Sequence, residues 1–263
     1  MRIATWNVNS IKQRTDHVLA WLANNRADVL ALQELKCQDD AFPRQAFEDA
    51  GYNVAVHGQK AFNGVALVSR HPLEDVRRGL PGDPDDGQSR YIEAVISTAA
   101  GALRIASIYL PNGNPLGTEK FPYKLGWMDR LIAHARDLLE LEEPVALAGD
   151  YNVIPTPEDA RNPEAWMEDA LFQPESRGRF RRLAAMGYTD AVRATDASEG
   201  LYSFWDYQAG AWQRNNGIRI DHLMLSPEAT DCLQYAWIDR DERNREKPSD
   251  HVPVVADLDI AAR

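Results

Sequence analysis

Apolar and polar positions along the 263-residue chain alternate in a way that predicts many short strands and few long helices. Arg2-Ile3-Ala4-Thr5-Trp6-Asn7-Val8-Asn9 starts as a strand and finishes in asparagines. Val18, Leu19, Trp21 and Leu22 then fall on one stripe at helical spacing, in a helix that ends near Asn24-Asn25. Asp28 to Glu34 is a second strand closing in a carboxylate, and Tyr52 to His57 and Gly64 to Ser69 follow as closely spaced strands. Pro81 to Gln88, rich in Pro, Gly and Asp, reads as a surface loop. Tyr91 to Thr98 and Leu103 to Tyr109 are two more strands, the second running into the loop signal Pro111-Asn112-Gly113-Asn114-Pro115. The longest helical stripe, Lys124 to Leu141, places Leu125, Met128, Leu131, Ile132, Ala135, Leu138 and Leu139 at helical spacing.

The run Val145-Ala146-Leu147-Ala148 predicts a buried strand that stops at Gly149, with Asp150 and Asn152 beyond it. A polar excursion follows, Thr156 to Asn162, and Phe180, Leu183 and Met186 mark another helix. Tyr202-Ser203-Phe204-Trp205 is an aromatic cluster, Ile218 to Leu225 a strand with an embedded acid, and Val252 to Leu258 the last strand. Strands outnumber helices and several pair as hairpins, which argues against a purely parallel sheet. The expectation is an α/β fold of two packed mixed sheets with helices outside. No shift in composition marks a linker, so residues 1–263 are expected to form one domain.

Composition narrows the function classes without choosing one. The chain is 44% hydrophobic and carries a net charge of −11, which argues mildly against a protein that coats nucleic acid through a basic surface. It leaves room for a local basic patch around an acidic cleft. No apolar window is long enough to span a bilayer, and polar Asn7 and Asn9 come too early for a secretory signal. Cys37 and Cys232 are too few for a disulfide scaffold or a zinc site, and are read as free thiols of a reducing cytoplasm.

Polar groups recur where strands stop: Asn7, Glu34, Tyr109, Asp150 with Asn152, Asp221, and Asp250 with His251. Each alone has an ordinary explanation as a cap, a turn or a core aromatic. Strand ends are also where ligands sit in open α/β sheets. In an extended segment Asp150 and Asn152 would share a face and reach into one space. A set dominated by carboxylate and amide oxygens suits a hard cation, Mg²⁺ or Mn²⁺, held by few protein ligands and several waters. The run Arg177, Arg179, Arg181 and Arg182 is read as a solvated helix face.

Six segments in order carry a resemblance: Trp6-Asn7-Val8-Asn9, Leu32-Gln33-Glu34-Leu35-Lys36, Tyr109-Leu110-Pro111-Asn112, Gly149-Asp150-Tyr151-Asn152, Arg219-Ile220-Asp221 and Ser249-Asp250-His251. Phe62 to Leu67 and Lys120 to Lys124 add to it. The chain resembles the exonuclease III family of the endonuclease–exonuclease–phosphatase group along nearly its whole length. The resemblance implies a four-layer, DNase I-like α/β sandwich and a Mg²⁺-dependent repair nuclease, monomeric and cytoplasmic. Its partner would be duplex DNA, cut beside abasic sites, cleared of 3′ blocking groups, or digested from 3′ ends.

By the same resemblance, Glu34 is the principal metal ligand, with Asn9 acting through water and Asp250 nearby. Asp150 deprotonates the attacking water and Asn152 positions it. Asp221 orients and charges His251, which meets a phosphate oxygen, while Tyr109 and Asn7 hold others. Phe204, Trp205 and Ile218 match a pocket for a flipped abasic sugar. Lys12 and Arg90 match phosphate contacts, and Asn112 opens a loop, residues 112–118, that departs from better-known members. Two other readings stand beside this one: a phosphoesterase of the same group with a non-DNA substrate, and a non-catalytic nucleic-acid-binding relative. The first predicts turnover of inositol phosphates; the second predicts eroded catalytic positions, which are intact here.

Overall fold

The computed structural model describes residues 1–262. In chain order the elements are β1 (Arg2–Asn7), α1 (Ile11–Asn25), β2 (Val29–Gln33), α2 (Arg44–Asp49), β3 (Asn53–His57), β4 (Val65–Ser69), β5 (Glu74–Arg78), β6 (Tyr91–Thr98) and β7 (Gly101–Tyr109). Then come α3 (Lys120–Leu139), β8 (Val145–Asp150), α4 (Pro174–Ala185), β9 (Thr189–Asp190), α5 (Ala191–Thr195), β10 (Asp221–Leu225), α6 (Pro227–Asp231), β11 (Leu233–Ile238) and β12 (Val254–Leu258). Two six-stranded sheets result, ordered β11-β12-β1-β2-β4-β3 and β5-β6-β7-β8-β10-β9. Each is mixed: β1 runs parallel to β2 and β7 parallel to β8, while their other pairings are antiparallel.

Period-two alternation builds the layers. Ile3, Val29, Ala31 and Leu67 of the first sheet face Ile105, Ala148 and Leu223 of the second. The opposite face of the first sheet, with Ala4, Trp6, Leu30 and Leu32, packs on Val18, Trp21 and Leu22 of α1 and Phe47 of α2. The outer face of the second, with Ala106, Leu147 and Met224, packs on Trp127, Met128 and Leu131 of α3 and Phe180 and Leu183 of α4. Helix, sheet, sheet, helix is the four-layer α/β sandwich expected.

Toward one end, the dry layer between the sheets turns polar. Gln33 donates to Thr5 Oγ1 (3.0 Å) and Ser107 Oγ (2.9 Å), and Ser107 donates to the Leu32 carbonyl (2.8 Å). All three side chains are fully buried, and their mutual satisfaction crosses from one sheet to the other.

Several boundaries differ from expectation for physical reasons. Helix α3 starts at Lys120, four residues early, because Pro122 lies in its first turn, where no intrahelical N–H is needed. Strand β5 has an exposed, charged pattern, and β11 lies at a sheet edge with Tyr235 half exposed; neither shows the alternation that reveals a half-buried strand. Asp221 begins β10 rather than lying inside a strand, because Ile218 instead bridges Phe204 and Ala160. Among the described residues, no helix is long and apolar enough to cross a membrane.

Candidate active site

The topology gathers the strand-end polar groups at one end of the sandwich. Parallel pairs bring Asn7 beside Gln33, next to Glu34, and Tyr109 opposite Asp150. Antiparallel β10 starts where β8 stops, so Asp221 lies opposite Asp150. The segment before β12 brings in Asp250 and His251, with a bridge between His251 and Phe204.

One amide links the two sheets. Asn7 Nδ2 donates to Glu34 Oε1 and to Asp150 Oδ2, both at 2.9 Å, so one nitrogen's two hydrogens serve two carboxylates. Asn7 is wholly buried and Asp150 nearly so. His251 Nδ1 meets Asp221 Oδ2 at 2.8 Å, and its Nε2 stands 3.8 Å from Asp150 Oδ2. Asp221 Oδ2 also accepts from Ser203 Oγ at 2.6 Å. Lys36 Nζ pairs with Glu34 Oε2 at 2.9 Å and bonds Asn9 Oδ1, while Asn9 Nδ2 donates to Asp250 Oδ1 at 3.1 Å.

Glu34, Asn9 and Asn152 hold left-handed backbone angles, with φ of 51°, 44° and 46°. Such conformations are costly outside glycine and concentrate at working sites, where the surroundings over-determine them. The Ser10 amide bonds the Glu34 carbonyl (2.8 Å), and the Asn152 amide bonds Asp150 Oδ1 (2.9 Å). Asp150 and Asn152 therefore do not share one face of an extended segment, as the sequence suggests. Strand β8 ends at Asp150, and the left-handed turn at Asn152 delivers its carboxamide to the same cleft.

Burial would discharge His251, but Asp221 and Asp150 outweigh it and raise the imidazole to about 10. Burial pushes Asp150 up to about 7, against the pull of His251 and the Asn7 amide. Burial also opposes ionisation of Glu34, yet Lys36 and Asn7 more than compensate and hold it below the usual carboxylate range. Burial, with Glu34 and Asp150 beside it, pushes the Tyr109 hydroxyl well above its ordinary value, so it stays protonated.

Donor atoms of Glu34, Asp150 and His251 lie within 4.8 Å of one another. Two carboxylates at that spacing, in a cleft edged by Asp250 and amides, fit a hard divalent cation. The cleft, of about 290 Å³, has a polar floor and a wall made by Trp166, Leu171, Phe204 and Ile220.

The model of the Endonuclease/Exonuclease/phosphatase family matches residues 4–251. The chain belongs to that family. It is 34% identical to exodeoxyribonuclease III of Haemophilus influenzae, over 98% of this chain and all of that one. Its fold is similar to that of a 3′ phosphatase from Neisseria solved with a product DNA hairpin (TM-score 0.94, 39% identity, 98% of this chain and 99% of that one). It is also similar to an AP endonuclease from Archaeoglobus fulgidus (TM-score 0.93, 35% identity, 98% and 99%).

Within this family fold, the residues expected to hold an abasic sugar divide. Phe204 lines the cleft, its ring 4.9 Å from that of His251. Trp205 and Ile218 do not line it: each is 1% exposed. Alternation turns Trp205 to the far side, where it packs on Tyr202, Ala211 and Val252, and Ile218 lies beneath Phe204 in a cluster with Ile154 and Leu171. The wall is completed by Trp166, Leu171 and Ile220, of which Trp166 and Leu171 sit between Asn162 and Phe180, in a stretch that carries no periodic signal.

Arg90 lies over the Tyr109 ring (4.9 Å) beside Lys120, in a groove that shares Asn112 and Asn114 with the cleft. Lys12 is exposed on α1 and lies outside the cleft lining. Asn112 donates to Asn152 Oδ1 at 3.1 Å. Ser203, Lys36 and Asp169 also serve this region. Sequence could have flagged Ser203, which lies inside the aromatic cluster, but hydroxyls are too common to stand out.

Proposed function

We propose that the chain is a Mg²⁺- or Mn²⁺-dependent DNA repair nuclease of the exodeoxyribonuclease III type. It hydrolyses phosphodiesters beside abasic sites, clears blocked 3′ ends and degrades duplex DNA from 3′ termini. The observation that carries this reading is the Asn7 amide joining Glu34 to Asp150, with the Asp221–His251 pair across the same cleft. Residues 1–263 are taken as one domain working as a monomer in a reducing cytoplasm.

Hydrolysis needs an oriented, deprotonated water, a stabilised phosphorane and a neutralised 3′ leaving oxygen. Asp150, bonded by the Asn7 amide and 3.8 Å from His251 Nε2, takes the proton of the attacking water. Asn152, locked to the Asp150 carboxylate through its backbone amide, aims its carboxamide at that water and the phosphate. His251, kept charged by Asp221, donates through Nε2 to a non-bridging oxygen as negative charge builds. Asn7 and the protonated Tyr109 hydroxyl flank the other oxygens. Glu34 would hold the cation, with Asn9 bound through water and Asp250 beside it. That ion, when bound, supplies charge stabilisation to the phosphate and the leaving oxygen. Arg90 and Asn112 line the adjoining path for the DNA backbone, Phe204 backs the sugar, and Lys12 on α1 reaches a more distant phosphate.

The test is a substrate panel: an abasic duplex, a 3′-phosphate duplex, a blunt duplex and inositol phosphates, each with Mg²⁺ or EDTA. DNA substrates should be cut only with metal, and Asp150→Ala should abolish cleavage while retaining abasic-duplex binding. Turnover confined to inositol phosphates would overturn the reading, and so would undiminished turnover by the Asp150 variant.

A further inference from the structure

Lys124 is a buried lysine that the site's chemistry leaves unexplained. It lies in the second turn of α3 and is 0% exposed. A fully buried lysine is rare unless it is paired, yet no carboxylate lies within ion-pair distance of its ammonium among the described residues. Its Nζ donates to two backbone carbonyls, Asn112 at 3.0 Å and Asn152 at 2.5 Å. These belong to residues that follow β7 and β8 and carry two of the carboxamides at the cleft.

We propose that Lys124 is a positioning residue for hydrolysis, a strut that clamps the Asn112 and Asn152 backbones and so aims the Asn152 carboxamide. The proposal rests on the functional reading above. Three further observations support it. Asn152 holds a left-handed φ of 46°, a sparsely populated conformation that persists where the surroundings over-determine it. Its side chain is braced on both sides, Nδ2 donating to the Leu110 carbonyl (2.9 Å) and Oδ1 accepting from Asn112 Nδ2 (3.1 Å). Fixing both carbonyls therefore fixes that brace. Finally, the loop is shaped to admit the strut: a Cβ on Gly113, at φ +90°, would stand 2.7 Å from Lys124 Cδ.

Lys124 does not line the cleft, so its effect must pass through Asn152. Lys124→Met keeps the stem and removes the two donors. Expected are a cooperative thermal transition, a kcat about tenfold lower on the 3′-phosphate duplex, and a KM within twofold of the parent. In an Asn152→Ala background, followed by single turnover at high enzyme concentration, the same substitution should cost less than twofold. Gly113→Ala, which presses on the strut from the other side, should show the same dependence on Asn152 and keeps the test open should Lys124→Met fail to fold. A kcat unchanged in both variants would overturn the proposal, and so would an equal loss whether or not Asn152 is present. The Asp150→Ala arm of the substrate panel separates that failure from a failure of the nuclease reading itself.

Discussion

Replacing Asp221 by Asn tests the electrostatics of the site most directly. Asp221 Oδ2 lies 2.8 Å from His251 Nδ1 and is the largest influence holding that imidazole charged, at about 10. For a histidine whose pKa is raised on folding, the charge and its stabilisation are fully present below the ordinary value near 6.5. Both are lost as pH rises through about 10. An amide at position 221 removes the negative charge that Asp221 Oδ2 presents to Nδ1, and so favours the neutral ring. A return toward 6.5 amounts to about 5 kcal/mol less preference for the charged form. At pH 8 the charged fraction would fall from nearly all to about 3%, so a rate that needs imidazolium falls about 30-fold. At pH 6 about three-quarters of the ring is charged even in the variant, so the deficit should shrink to less than twofold. The readout is single-turnover cleavage of a labelled 3′-phosphate duplex between pH 6 and 9, taken as the ratio of variant to parent. ¹⁵N shifts of the His251 ring report its charge independently. A ratio that stays flat across this range, or a ring still charged at pH 8 in the variant, would refute the reasoning.

Two further outcomes follow from the same geometry. Mg²⁺ at a hundredfold excess over its dissociation constant should stabilise the fold by about 2.7 kcal/mol, and Glu34→Gln should remove most of that gain; equal stabilisation of both proteins in a thermal titration would place the ion elsewhere. Arg219 is 1% exposed and bonds Asp159 Oδ1 (2.8 Å) and Asp190 Oδ2 (2.6 Å), so Arg219→Ala leaves the buried carboxylate of Asp159 and the partly exposed one of Asp190 short of their partner. The expected cost is about 3–5 kcal/mol by urea denaturation at pH 7. The gap should narrow in acid, because stability from depressed carboxylates is present above their ordinary value and lost as pH falls.

Much of this protein is legible from its chain alone. Period-two alternation in segments such as Ile3 to Trp6 and Leu103 to Tyr109 reports burial on two faces, and thus a sandwich. The acids and amides at strand ends stood out because an apolar run that stops at a carboxylate is a local event. What alternation leaves dark are edges and loops: β5 and β11 bury too little to show a period, and Trp166 and Leu171 reach the cleft from a stretch without one. Sequence also misjudged Trp205 and Ile218, since aromatic and aliphatic character is the same in a core as in a pocket. Tertiary structure alone decided that Asn7 spans two carboxylates 143 and 27 residues away, and that Lys124 ends beneath Asn152. Side-chain type is written in the chain, but which atoms meet at 2.9 Å depends on how two sheets stack, and that is a property of the whole packed core.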